Sequence, residues 1–401
     1  MKREHGFSLV ELLIATSIVG LILAATLGTL TSAINATQAI TLMADTQENL
    51  RAGMNYMVRD LLQAGEGVPQ GGITLPNTAG VSAVNRPGPG TPPGGNFGTF
   101  TATWTALPAI VSGYQLGATT TTSGVATDMV TVMYADTTLQ DVNGHWLNEF
   151  PIYLKPGGAG VTGCAAANPN PAPQGSIATA GTTTTVTFDK SCIVINNGNT
   201  GINAGDLIMF QNNNTLGDGS ITGTDEDISD TAGSMALMTV SNVDPVGNSI
   251  TLSANDPFNL NSSAATSGTL DKIKIQSGPL AGTYPTTTAT RFWLITYFLD
   301  NTNPQRPQLM REVNMNPPQA VGEVIENLHI FYDVLNVGSS PVTVSAAVEA
   351  PTDAQLPDIR DAYIMLFARS EDQFSHTNTY FRNNLETVVS IRGLDFYNKF
   401  Q

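Results

Sequence analysis

A single carboxylate, Glu11, stands near the start of an otherwise apolar run that reaches to about Leu30. Lys2, Arg3 and His5 come before it, and Gly6-Phe7-Ser8-Leu9-Val10 leads into it. A charge at the centre of a bilayer-spanning helix costs on the order of 2.5–3.5 kcal/mol, and somewhat less near the end. A glutamate kept there needs either a partner or a short route to water. At about 1.5 Å per residue, a helix from Phe7 to about Leu30 spans roughly 30 Å of hydrocarbon. Everything after residue 65 reads as the cargo of this segment.

The helical pattern does not stop at the membrane. Ile34, Ile40, Leu42 and Met43, then Leu50, Met54, Met57, Val58, Leu61 and Leu62, recur at steps of three and four, and no proline intervenes before Val68. That spacing predicts an amphipathic continuation with one apolar face, about 87 Å of unbroken helix from Phe7 to Ala64. Gly65 and Gly67 supply the stop, while Gly20 and Gly28 are weak points or merely tolerated small residues.

Basic residues followed by an apolar run fit a cleaved signal peptide, with small residues for a cut near Ala33-Ile34-Asn35-Ala36, or an ordinary membrane anchor. The local residues favour a third meaning. Gly6-Phe7-Ser8-Leu9-Val10-Glu11 resembles the prepilin peptidase signature, with Gly before the cut, Phe after it and Glu as the fifth residue beyond. The resemblance implies a leader at residues 1–6, cleavage between Gly6 and Phe7 by a prepilin peptidase, and N-methylation of the new Phe7 amine. It also implies that Glu11 meets the N-terminal amine of a neighbouring subunit. Such pairing offsets a desolvation penalty of several kcal/mol per ion. The competing reading places Glu11 in the first helical turn, where a negative charge suits the helix dipole and the side chain snorkels to water.

Tyr56-Met57-Val58-Arg59-Asp60-Leu61-Leu62-Gln63-Ala64-Gly65 further resembles the end of this helix in PilW-type minor pilins. Leu309-Met-Arg-Glu, Gly322 to Asp333, Ile359 to Arg369 and Leu385 to Arg392 follow in the order seen in that family. What this implies is an α+β protein: a pilin helix at 7–64, transmembrane over about 7–30, packed on a large antiparallel β-rich head at 65–401. Its partners are then inner-membrane lipid, prepilin peptidase, and major and minor pilins or pseudopilins. It would be a single-pass inner-membrane protein with a cytoplasmic N-terminus and a periplasmic head, later moving to the pilus or cell surface. Lys2 and Arg3 agree with that orientation, since positive residues stay on the cytoplasmic side. Two alternatives stay open: a minor pseudopilin of type II secretion, and a membrane-anchored or secreted adhesin or hydrolase with a conventional signal.

Residues 66 to about 127 are rich in Gly, Pro, Thr and Asn and read as a loop-rich insertion, with short strands around Phe100–Trp104 and Ala109–Val111. Strands are expected at Asp128–Tyr134, Thr182–Phe188 and Ala204–Gln211. A hairpin follows, from Ala236–Val243 to Ser249–Leu252 through a turn at 244–248. The strongest strand signals lie at Thr290–Leu299, Leu309–Val313, Ile325–Val334, Arg360–Arg369 and Thr387–Arg392.

Charged residues make up 12% of the chain and the net charge is −16; residues 1–6 carry Lys2, Arg3 and Glu4, a net of +1, which leaves −17 on the remainder. With no basic face to neutralise phosphates, nucleic acid is excluded as the main partner. Cys164 and Cys192, 27 residues apart in between, form one disulfide if the head lies outside the cytoplasm. The segment holding Asp225, Glu226, Asp227 and Asp230 is a weak Ca²⁺ candidate that does not follow the EF-hand order; a solvated acidic loop is the plainer reading. His5, His145, His329 and His376 are scattered, and no nucleophile elbow, phosphate loop or zinc motif occurs, so no catalytic residue and no cofactor is assigned. Trp104, Trp146 and Trp293 read as core before they read as an adhesive patch.

Overall fold

The computed structural model describes residues 8–69, 71–76, 84–89, 96–100, 104–119, 124–136, 152–156, 175–180, 183–188, 195, 201–212, 234–254, 256–262, 267–274, 284, 287–375, 377–391 and 393. Helix α1 (Leu9–Gln63) is one unbroken element of 55 residues, about 82 Å long. Gly20 and Gly28 do not interrupt it. Its hydroxyl side chains fold back on the helix: Thr16 and Ser17 donate to the carbonyls of Leu12 and Leu13, and Thr31, Ser32, Thr37 and Thr41 to those four residues earlier. This satisfies each hydroxyl without a partner outside the helix.

The buried stripe of α1 is Leu42, Thr46, Leu50, Gly53, Met54, Met57, Asp60 and Leu61. It is narrower than the sequence pattern implies, for Ile34, Ile40, Met43 and Leu62 stay exposed. At Gly53 a Cβ would lie 2.9 Å from Leu309 Cδ2 and 3.5 Å from Leu366 Cδ1, so the missing side chain lets the helix sit close to the sheets. The helix ends at Ala64, after which Gly65 and Gly67 take φ of 86° and 70° and turn the chain away.

Among the described residues, twenty strands follow. They are β1 (Ile73–Thr74), β2 (Asn85–Pro87), β3 (Asn96–Thr99), β4 (Ala106–Leu107), β5 (Ile110–Gly113), β6 (Met129–Ala135), β7 (Ile152–Pro156), β8 (Gly175–Ala180), β9 (Thr183–Phe188) and β10 (Leu207–Asn212). Next come β11 (Met235–Thr239), β12 (Asn242–Asp244), β13 (Ser249–Leu252), β14 (Thr287–Asp300), β15 (Gln308–Val313), β16 (Gln319–Glu323), β17 (Ile325–Asn336), β18 (Thr343–Val348), β19 (Ile359–Gln373) and β20 (Tyr380–Ser390). A short helix, α2 (Leu270–Ile273), lies between β13 and β14. The fold is therefore α+β, a long N-terminal helix on an antiparallel head, with one parallel pair among the described residues, β7 with β8.

Strand β14 is the spine of the larger, 12-stranded sheet. Its first half pairs with β10 on one side and β7 on the other, and its second half with β15 and β6. A four-stranded sheet of order β18-β17-β19-β20 forms a second layer, and α1 packs on β19, β20 and β16. Alternation in β17 and β19 turns Leu328, Ile330, Tyr332, Ala362, Ile364 and Leu366 into the shared core with Leu50, Met57 and Leu61. Residues within 66–127 reach that core too: Ile73, Leu75, Leu107 and Ile110 are buried in it.

Several expected elements shift. Phe100 lies outside any strand, with β3 and β4 on either side of it. The expected strand 236–243 breaks at Val240–Ser241 into β11, which pairs with β10, and β12, which pairs with β13. Strand β20 starts at Tyr380 and ends at Ser390, earlier at both ends than the expected Thr387–Arg392.

Candidate assembly segment and its anchor in the head

Ser8, extended at φ −70° and ψ 144°, is the N-cap of α1, and Glu11 is the third residue of the helix. The Ser8 backbone N–H donates to Glu11 Oε2 at 3.0 Å, so the carboxylate caps its own helix and sits at the positive end of the helix dipole. Glu11 is exposed, as is every helix residue from Leu9 to Ile34; Leu9, Val10, Leu12 and Leu13 are each 60–80% exposed. Among the described residues α1 is the one helix long and apolar enough to cross a membrane. Gly6 and Phe7, the expected cleavage pair, lie outside the described residues, as do Cys164, Cys192, Asp225, Glu226, Asp227 and Asp230.

At the other end of the same helix a second carboxylate has the opposite fate. Asp60 is fully buried in the apolar stripe. Tyr297 Oη donates to its Oδ2 at 2.6 Å and Arg311 Nε to the same oxygen at 2.6 Å. Tyr134 Oη, at 3.3 Å, and Arg59 Nε, at 3.2 Å, donate to Oδ1. Burial, then the charge of Asp60, pushes both tyrosine hydroxyls well above their ordinary range. Burial would pull Arg311 down, but its hydrogen bond and attraction to Asp60 prevail and hold the guanidinium above its usual value. The carboxylate ties α1 to β6, β14 and β15 at once. The sequence shows Arg59-Asp60 only as part of a family resemblance. The signal for its burial is that Asp60 falls three residues after Met57 and one before Leu61, on the stripe itself.

Other polar clusters stitch loops to strands. Arg291 Nε donates to Asp136 Oδ2 at 2.6 Å, and its Nη1 donates to the Gly201 carbonyl at 2.5 Å and lies 3.4 Å from Asp206 Oδ2. His329 sits within β17, its Nδ1 3.4 Å from Asp128 Oδ2 and its ring 6.3 Å from those of Phe331 and Phe367. Trp104 stacks on Phe100 at 5.8 Å and, like Trp293, packs half-buried against the core. His145, His376 and Trp146 lie outside the described residues. No group of three His, Cys, Asp or Glu side chains among the described residues is placed to hold a metal ion.

Compared with known protein families, residues 1–27 match the prokaryotic N-terminal methylation motif. No curated protein and no solved structure matches the chain. The matched residues cover the expected leader and cleavage site, Glu11 and most of the apolar run. They support a type IV prepilin-like protein, and with it processing by a prepilin peptidase and assembly with other pilins in general. The apolar helix and the motif together are consistent with an inner-membrane-anchored pilin.

Proposed function

We propose that the chain is a minor type IV pilin of the PilW type, a structural subunit that co-assembles into the pilus or primes its assembly. Prepilin peptidase removes residues 1–6 and the Phe7 amine is methylated. The subunit waits in the inner membrane with its head in the periplasm and passes from there to the cell surface. One observation carries this reading: the methylation motif opens a helix whose first half is bare and whose second half is clamped to a β-rich head. A signal peptide has no use for the clamped half.

In this role Glu11 is the assembly contact. One of its oxygens is held by Ser8 N–H, and a carboxylate accepts at about four lone-pair sites, which leaves room for a neighbour's Phe7 amine. We further propose that Cys164 and Cys192 form a disulfide in the oxidising compartment. The test of function is recruitment. The protein should appear in the sheared pilus fraction of wild-type cells and be missing from it in cells lacking prepilin peptidase. Recovery in both, or a defect confined to protein secretion with normal pili, contradicts the assignment.

A further inference from the structure

Among the described residues, the hairpin joining β19 to β20 is where the head reaches furthest along α1 toward its bare half. Ser375 Oγ donates to Gln38 Oε1 at 2.8 Å and lies 3.4 Å from Asn35 Oδ1. Asn35 is the first half-buried residue of the helix; every one before it is exposed. It stands five residues past Leu30, the last leucine of the apolar run, which is about 7.5 Å along the helix axis. The headgroup layer outside the hydrocarbon is about 5–8 Å deep on each side. A helix that leaves the hydrocarbon at Leu30 therefore carries the Asn35 and Gln38 contacts about 7.5 and 12 Å out along its axis, which sets this hairpin tip at the outer edge of the headgroup layer.

The chemistry of the tip fits that level. Phe374, Tyr380 and Phe381 are half-buried aromatic residues within eight positions of one another, and rings of this kind collect at membrane interfaces. Tyr380 lies under Arg369 at 4.1 Å and Arg382 at 5.8 Å. Arg369 Nη2 also donates to the Pro304 and Gln305 carbonyls, at 3.1 and 3.0 Å, which brings the β14–β15 turn to the same pole. There Arg306 pairs with Glu371, both about half exposed, and Arg382, 51% exposed, pairs with Glu326. Exposed charges of both signs match a zwitterionic headgroup, whose phosphate suits arginine and whose ammonium suits glutamate.

We propose that the β19–β20 hairpin tip rests on the phospholipid headgroups of the membrane that α1 crosses, fixing the height and tilt of the head before the subunit leaves the bilayer. This rests on the reading of α1 as a membrane anchor. The opposite end of the same sheet, the β17–β18 turn with exposed Val342, is the length of β17 away, about 40 Å.

The test uses the full chain in nanodiscs of phosphatidylethanolamine and phosphatidylglycerol, with p-benzoylphenylalanine as the photo-crosslinker. Thr377→p-benzoylphenylalanine replaces an exposed tip residue, and Phe374→p-benzoylphenylalanine is a second, more nearly isosteric variant. On irradiation both should gain the mass of a phospholipid, as should Leu21→p-benzoylphenylalanine in the apolar run, whereas Val342→p-benzoylphenylalanine should not. Adducts at Leu21 but at neither tip position overturn the proposal and leave the anchor standing. Adducts at Val342 as strong as those at the tip overturn it as well. If Leu21 gives none, the anchor reading fails and the proposal falls with it.

Discussion

Glu11 and Asp60 are lone carboxylates in apolar stretches of one helix, and the fold treats them in opposite ways. Asp60 is consumed by the monomer: four donors from α1, β6, β14 and β15 surround it, and its side chain has no exposure left. Glu11 is spared: its hydrogen bond is to Ser8 of its own first turn, and the surface around it is bare leucine, valine and isoleucine. A buried charge is tolerated where its partners are built in, whereas the exposed Glu11 is held by its own first turn and keeps acceptor sites for the proposed contact with a neighbour's amine. The two ends of α1 thus divide the work. The C-terminal end holds the head, and the N-terminal end is left bare, as the proposed role in membrane and filament requires.

That contrast can be broken first at Asp60. Asp60→Ala strands the Arg311 guanidinium and two tyrosine hydroxyls, and should cost about 3–5 kcal/mol in chemical denaturation of the head. A loss below about 1 kcal/mol would show that the cluster does not anchor the helix. The seam can be attacked next without touching the carboxylate. Gly53→Val drives side-chain atoms into Leu309 and Leu366 and should cost about 1–3 kcal/mol in the same assay.

Alkaline titration sharpens the comparison more gently. Burial holds the Tyr134, Tyr297 and Tyr332 hydroxyls above their ordinary value, so the folded chain keeps protons there that the unfolded chain releases. Their stabilisation is complete below about pH 10 and is lost as pH rises beyond it. Arg86, which burial pulls down to about 10, acts in the opposite sense, but three groups outweigh one. Stability should therefore fall by about 1 kcal/mol or more per pH unit above pH 10. A flat profile in equilibrium denaturation refutes the assignment. Smallest in stability is Glu11→Ala, with a change in head stability of less than about 0.5 kcal/mol. Its effect belongs to assembly, where cleavage should persist and recovery in sheared pili should drop sharply. Unchanged recovery removes the role given to that carboxylate.

Both regions were legible in the sequence to different depths. Local signals are strong in α1 and in β14, β15, β17 and β19, because apolar periodicity there agrees with what each element buries. Ile34 and Ile40 mislead because they continue the apolar pattern on a part of α1 that the head does not cover. Strand β20 begins seven residues before the sequence implies. Arg382, Asn383 and Asn384 are poor strand formers on their own, and pairing with Arg369, Ala368 and Phe367 of β19 holds them extended. β16 and β18 were missed for the same reason, since Gln319-Ala-Val-Gly-Glu323 and Thr343-Val-Ser-Ala-Ala-Val348 gain their order from β15 and β17. The Asp60 cluster was out of reach because its donors lie 74, 237 and 251 residues away in sequence. The place of Glu11 in the first helical turn was legible because it is local, a charge three residues after Ser8 at the start of an apolar helix.

The most direct test of the whole account is the N-terminus of the protein recovered from membranes, read by intact mass and N-terminal peptide sequencing. The account predicts a chain that starts at Phe7 with one added methyl group. A start at Met1, or near Thr37 as a conventional signal cut would leave, contradicts it.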